Sequence, residues 1–123
     1  MKFRYARHTT ELISIETFYT QIAGLQNLGG FQNHDGYDGL FLGIPGQDWH
    51  LEFTRSEGKP ENKFDEDDAL VFYLSSEKEF SLTRERILKN NIRLEAPKNP
   101  YWSKNGIMIS DPDGYKVIFS IKL

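Results

Sequence analysis

The chain has no cysteine at all, which removes disulfides, zinc ribbons and thiol nucleophiles from consideration. It also lacks any apolar run approaching the roughly 20 residues that a membrane helix needs, so no membrane partner is expected. Residues 1–5 carry none of the apolar stretch of a signal peptide, and the expected location is cytoplasmic. No basic stripe stands out. A formal charge of −3, with the two signs interspersed, gives no footprint for nucleic acid. No glycine-rich phosphate loop opens a helix, since Gly29-Gly30 falls in a strand or bulge. The acidic run Asp65-Glu66-Asp67-Asp68 lacks calcium-loop spacing, and Ser75, Ser76 and Ser110 have no nucleophile-elbow context.

What is abundant is aromatic. Nine Phe, six Tyr and two Trp in 123 residues suit either an aromatic-lined cavity or large side chains filling a thin core. A chain of this length buries about two-thirds of its unfolded surface, enough for one core.

Periodicity divides the chain into two similar halves. Residues 2–8 read as a strand, and Thr10 stands where a helix from 11 to 23 needs an N-cap. Leu12, Ile15, Phe18, Tyr19 and Ile22 recur at three and four residues, and Gly24 supplies the stop. Strands at 28–32, 37–43 and 49–54 follow, divided by the turn signals Asp35-Gly36 and Ile44-Pro45-Gly46. Residues 57–67 are charged and contain Gly and Pro, as a surface linker does. The order then restarts with a strand at 69–74 and a helix from 77 to about 90. Ser76 and Glu79 stand at capping-box spacing, with Phe80, Leu82, Ile87 and Leu88 expected inward. Asn90-Asn91 can take the left-handed stop. Strands at 92–96, 107–110 and 115–121 complete the half, the last two joined through Asp111-Pro112-Asp113-Gly114. The expected fold class is α+β, with one β-α-β-β-β module over 1–56, a linker over 57–67 and a second module over 68–123.

Phe18-Tyr19 late in the first helix, His50-Leu51-Glu52-Phe53 ending the first module and Asp111-Pro112-Asp113-Gly114 before the last strand occur in an order that resembles the vicinal oxygen chelate superfamily of glyoxalases, extradiol dioxygenases and bleomycin-resistance proteins. His34-Asp35-Gly36-Tyr37-Asp38-Gly39 and Asn99-Pro100-Tyr101-Trp102 look like its YycE-like branch. The resemblance covers essentially the whole chain. It implies curved mixed sheets around a concave cavity, with helices on the convex face, a small organic ligand as partner and a homodimer.

The superfamily's metal-dependent members hold a divalent ion with His, Glu, His and Glu on the first, fourth, fifth and eighth strands. Carried onto this chain, those positions fall on Arg4, Glu52, Ala69 and Ile118. Arginine has no lone pair to give, and alanine and isoleucine have no donor atoms, so no metal and no other cofactor is expected. His8, His50 and Glu52 form the alternative metal set.

Strand parity places Arg4, Ala6, His8, His50 and Glu52 on the concave face in the first half, and Val71, Tyr73, Lys116, Ile118 and Ser120 in the second. His34 belongs to a polar turn. Tyr101 and Trp102 stand at the rim, where Trp102 serves either a ligand or the anchoring of a long loop. Arg4 and Glu52 are expected to pair, either structurally or to orient a ligand's carboxylate, phosphate or amide. The expected function is non-catalytic small-molecule binding. The alternatives are a lyase, isomerase or dioxygenase with an atypical metal site, and an interaction module whose cavity is filled.

Overall fold

The computed structural model describes residues 1–121, so positions 122 and 123 of the expected second module lie outside the described residues. Chain contacts group into two compact units, residues 1–62 and residues 63 onward.

The first unit contains β1 (Phe3–His8), α1 (Leu12–Thr17), a π-helical turn (Phe18–Ile22), β2 (Gln26–His34), β3 (Tyr37–Gly43) and β4 (Trp49–Arg55). The sheet order is β1-β4-β3-β2, with β1 parallel to β4 and the other pairs antiparallel. The helix departs from its expected form at both ends. Glu11, not Thr10, is its N-cap, and no side chain caps it. The later half widens into the π turn, which buries Phe18, Tyr19 and Ile22 together. Tyr19 meets Phe53 with ring centroids 5.1 Å apart. Leu40, Leu42, Leu51 and Phe53 form the buried sheet face, with Ile15 and Tyr19 among the buried residues of the helical segment. Arg7 is buried on the same strand parity, its guanidinium 4.9 Å from the Phe53 ring centroid. Gly24 stops the helical segment at φ +80°, and Asp35 and Gly36 turn the β2–β3 hairpin at +52° and +85°. β2 runs past the expected 28–32 because two register shifts let it bend without leaving its partner.

The second unit contains β5 (Ala69–Leu74), α2 (Glu77–Lys89), α3 (Tyr101–Asn105), β6 (Gly106–Ser110) and β7 (Lys116–Ile121), with sheet order β5-β7-β6. Ser76 caps α2 by accepting from the Glu79 backbone N–H, but Glu79 reaches Ser75 rather than closing the box on Ser76. Thr83 and Ile87 are the buried positions of α2, and Leu82 and Leu88 stand exposed, contrary to the inward expectation. Asn91 takes the left-handed conformation at φ +57°.

The expected strand at 92–96 does not form. Its backbone meets β6 only through the isolated Glu95–Met108 bridge, and Pro97 has no N–H with which to extend a ladder. Residues expected to be irregular form α3 instead. Asn99 Oδ1 accepts from the Tyr101 N–H at 3.0 Å, and Pro100 has the helical φ of −65°. The α+β class holds, with four strands in one mixed sheet and three in the other.

Candidate functional site

In the first unit, the sheet face opposite the buried one carries the chemistry. Register sets Arg4 beside His50, Ala6 beside Glu52, and Glu52 beside Phe41, while Gly39 lies between Thr54 and Phe31. Arg4 Nε donates to His50 Nε2 at 2.9 Å, and Arg4 Nη1 donates to Glu52 Oε1 at 3.2 Å. An arginine cannot accept, so His50 takes this bond through an unprotonated Nε2. The guanidinium carbon lies 5.1 Å from the Phe41 ring centroid, within cation–π range. His50 meets Phe41 edge-on at 5.4 Å, and Phe31 follows Phe41 at 6.0 Å. The Arg4 side chain is 51% exposed and that of Glu52 14%, so a sheltered carboxylate holds a cation that still faces solvent.

Phe31 and Phe41 stand outside the expected site residues, because they lie on β2 and β3 rather than on the strands that carry Arg4, His50 and Glu52. The missing signal was glycine. A Cβ on Gly39 would run into the Phe31 ring, and one on Gly29 would lie 3.7 Å from Phe41. Phe31 therefore lies over the gap that Gly39 leaves, as aromatic side chains do beside strand glycines. Gly43 likewise admits Leu28 and His50, whose atoms would lie 3.1 and 3.2 Å from a Cβ there.

His8 stands apart from this cluster. Its Nε2 is 2.9 Å from Ser56 Oγ and its ring 6.2 Å from that of Tyr37. A serine–histidine contact is the start of a nucleophile–base pair, but catalysis also needs a group that orients the imidazole. Among the described residues no carboxylate hydrogen-bonds the His8 ring. His34 lies 3.8 Å from Asp35 with both side chains largely exposed.

The residues do not fit a divalent ion. The Arg4 guanidinium already sits on the Glu52 carboxylate, and the positions of Ala69 and Ile118 offer no donor atom. Among the described residues no three His, Asp or Glu side chains converge on a common point, His8, His50 and Glu52 included.

In the second unit, Lys116 Nζ donates to Glu95 Oε1 at 2.6 Å and to Ser110 Oγ at 2.9 Å, and Ser110 Oγ donates to Glu95 Oε2 at 2.6 Å. Burial pushes the Glu95 carboxyl up, but hydrogen bonds from Lys116 and Ser110, with the charges of Lys116 and Arg93, together hold it below its usual value. Register aligns Ala69, Val71 and Tyr73 with Lys116, Ile118 and Ser120. Tyr73 is 55% exposed, whereas Ile118 is 2% exposed. Ser120 Oγ donates to the Asn105 carbonyl at the end of α3. Tyr101 is exposed and Trp102 half-buried, their rings edge-to-face at 5.0 Å.

The profile of the YycE-like N-terminal domain matches residues 3–54, and that of the YycE-like C-terminal domain matches residues 67–120. The uncharacterised protein YycE of Bacillus subtilis (strain 168) is 37% identical over 119 residues, 96% of this chain and 86% of that protein. A crystal structure of Bacillus subtilis YycE, a protein of unknown function, matches with a TM-score of 0.89 at 36% identity, covering 99% of this chain and 90% of its own. Glyoxalase I of Leishmania major matches at 0.74 and 20% identity, over 96% of this chain and 84% of that one. TnmS3, an antibiotic-binding protein from Streptomyces sp. CB03234, matches at 0.68 and 18% identity, over 100% and 96%. The last two show a shared fold and nothing finer. This chain belongs to the YycE-like family, a branch of the vicinal oxygen chelate superfamily.

Proposed function

We propose that this chain is a cytoplasmic, non-catalytic binding protein for a small organic molecule, with Arg4, His50, Glu52, Phe31 and Phe41 as its principal contacts. The observation that carries the reading is the state of Arg4: a half-exposed guanidinium, fixed by His50 and Glu52 against Phe41. Fixing a cation in advance lowers the ordering entropy that a ligand must overcome. The mixture of aromatic surface with a few polar groups is what small-molecule sites use. The description of TnmS3 as antibiotic-binding adds a fold-level analogy and no more. In the second unit, Tyr73, Lys116, Tyr101 and Trp102 reach solvent and are proposed as contacts in their own right, with Trp102 reporting by fluorescence, whereas Ile118 is buried.

An atypical enzyme is the weaker reading. Among the described residues the superfamily's metal chemistry has no matching donor set, and the His8–Ser56 contact has no carboxylate orienting the imidazole. The test is a thermal-shift screen of chemically diverse metabolites and antibiotics against the wild type and Arg4→Gln. Binders that lose their stabilising effect in Arg4→Gln are expected. A binder whose effect ignores Arg4 would place the site elsewhere.

A further inference from the structure

Two of the five guanidinium N–H donors of Arg4 are used, one by His50 and one by Glu52, which leaves three for a ligand, on a side chain that is half exposed. The remaining Nη1 hydrogen and the Nη2 pair form the end-on fork that matches a carboxylate in two parallel hydrogen bonds. Beside the fork lies a row of rings, each tilted against the next. His34, Phe31, Phe41 and His50 follow one another at centroid spacings of 6.1, 6.0 and 5.4 Å. Phe31 and Phe41 are half-buried, so their rings are held by packing yet still reach solvent.

We propose, resting on the binding reading above, that this site selects a planar aromatic carboxylate carrying a single negative charge. Charge number follows from Glu52. Its carboxylate stands 3.2 Å from Arg4 Nη1, so the pair is already neutral, and the chain as a whole carries −3. A dianion such as a phosphate monoester would meet that carboxylate at close range, whereas a monoanion completes a fork with charge to share. Planarity follows from the rings beside the guanidinium. A flat ligand can lie face-on to one of the two rings, which are tilted 51° to each other, with its carboxylate toward the guanidinium, and a puckered aliphatic ring does not stack in this way. Glycine at position 39 is part of the same selection, since it lets Phe31 lie low against the strand.

The test uses the full-length protein and three defined probes, 2-naphthoate, 2-naphthamide and cyclohexanecarboxylate, titrated by calorimetry and by two-dimensional amide NMR. Naphthoate is expected to bind at least about tenfold more tightly than either other probe, a factor worth about 1.4 kcal/mol. Its shift changes should centre on Arg4, Phe31, Phe41 and His50. Arg4→Gln should bring naphthoate down to the affinity of the amide, while Phe41→Leu weakens both naphthyl probes. Arg4→Lys retains the charge without the fork and should fall between wild type and Arg4→Gln; an unchanged amide spectrum in each variant secures the fold. If the amide binds as well as the carboxylate, or no probe binds, the ligand class is overturned, and the wider screen still decides whether Arg4 serves binding at all. If the cyclohexane probe equals naphthoate, the planar selection is overturned. Shift changes centred elsewhere in the chain overturn the placement.

Discussion

Lys116 and Glu95 are joined at 2.6 Å between Nζ and Oε1, and this contact fastens a stretch of chain with little regular backbone structure of its own. Residues 92–98 have one backbone bridge to β6, so side chains do much of the holding. Both partners are about three-quarters sheltered, which places the pair between an exposed surface bridge and a buried one. Glu95→Gln is expected to cost about 1 kcal/mol at neutral pH, measured by denaturant unfolding.

The same carboxyl sets a pH dependence. Glu95 is held below its ordinary value of 4.5 in the folded chain, as is Glu79, chiefly through the Ser75 hydroxyl and then the Ser75 N–H. A depressed carboxyl contributes its stability in full above the unfolded value and loses it as pH falls through the folded one. Thermal stability should therefore drop below about pH 4.5, in the range where the unfolded carboxyls protonate first. Glu95→Gln should flatten that fall, leaving the part due to Glu79. A Glu95→Gln profile parallel to wild type from neutral to acid pH would refute the assignment.

Punctuation carried most of the legible fold. Gly24, Asp35-Gly36, Asn91 and Gly114 all sit at positive φ, where their residue types are cheapest, so the ends of elements could be read directly. Departures occurred where a local pattern had a tertiary competitor. The 92–96 segment has strand-like composition, but its ladder is cut short by Pro97 and its fastening is electrostatic. Asn99-Pro100 starts a helix, Asn99 Oδ1 accepting from the Tyr101 N–H, at a place where no apolar periodicity announces one. The π turn cannot be heard in a 3.6-residue rhythm, because a wider turn changes which neighbours share a face. At the site, Arg4, His50 and Glu52 were legible from parity, while Phe31 and Phe41 depended on glycines opposite them, a pattern across strands rather than along one.

The donor set yields a metal prediction. The purified protein is expected to carry no stoichiometric divalent metal, and neither EDTA nor added zinc should move its melting temperature. Arg4 stands where the first ligand would be and already occupies Glu52. Elemental analysis finding close to one zinc, iron, manganese or nickel per chain would revive the enzyme reading, with His8, His50 and Glu52 as the first residues to substitute.

A homodimer is proposed from the resemblance and from exposed apolar side chains. Phe3, Ile13 and Tyr73 are 64%, 73% and 55% exposed, and Leu82 and Leu88 on α2 are each near half. Only where such side chains adjoin do they offer a surface that a second copy could cover, and Leu82 and Leu88 stand on one helix. Light scattering at micromolar concentration should give about twice the 14.3 kDa chain mass. A single species at the chain mass would overturn the proposal.

Gly39→Ala separates binding from stability. Gly39 has no positive φ to lose, so the added methyl brings no backbone strain, and its obstacle is the Phe31 ring. That ring is the far end of a half-buried side chain and can swing outward, so the change should cost no more than about 1–2 kcal/mol, typical of mild overpacking. Swinging outward removes Phe31 from its 6.0 Å contact with Phe41 and breaks the row of rings beside Arg4. Affinity for any ligand that stacks there should fall about tenfold, the share of one aromatic contact. Arg4, His50 and Glu52 keep their hydrogen bonds, because none of them touches the new methyl. Gly29→Ala makes the contrast: at φ +137° it strains the backbone whatever the space, so stability should fall further than in Gly39→Ala. Calorimetric unfolding and ligand titration on both variants give the comparison. If Gly39→Ala binds every screened ligand as the wild type does, the Phe31 ring is no part of the binding surface.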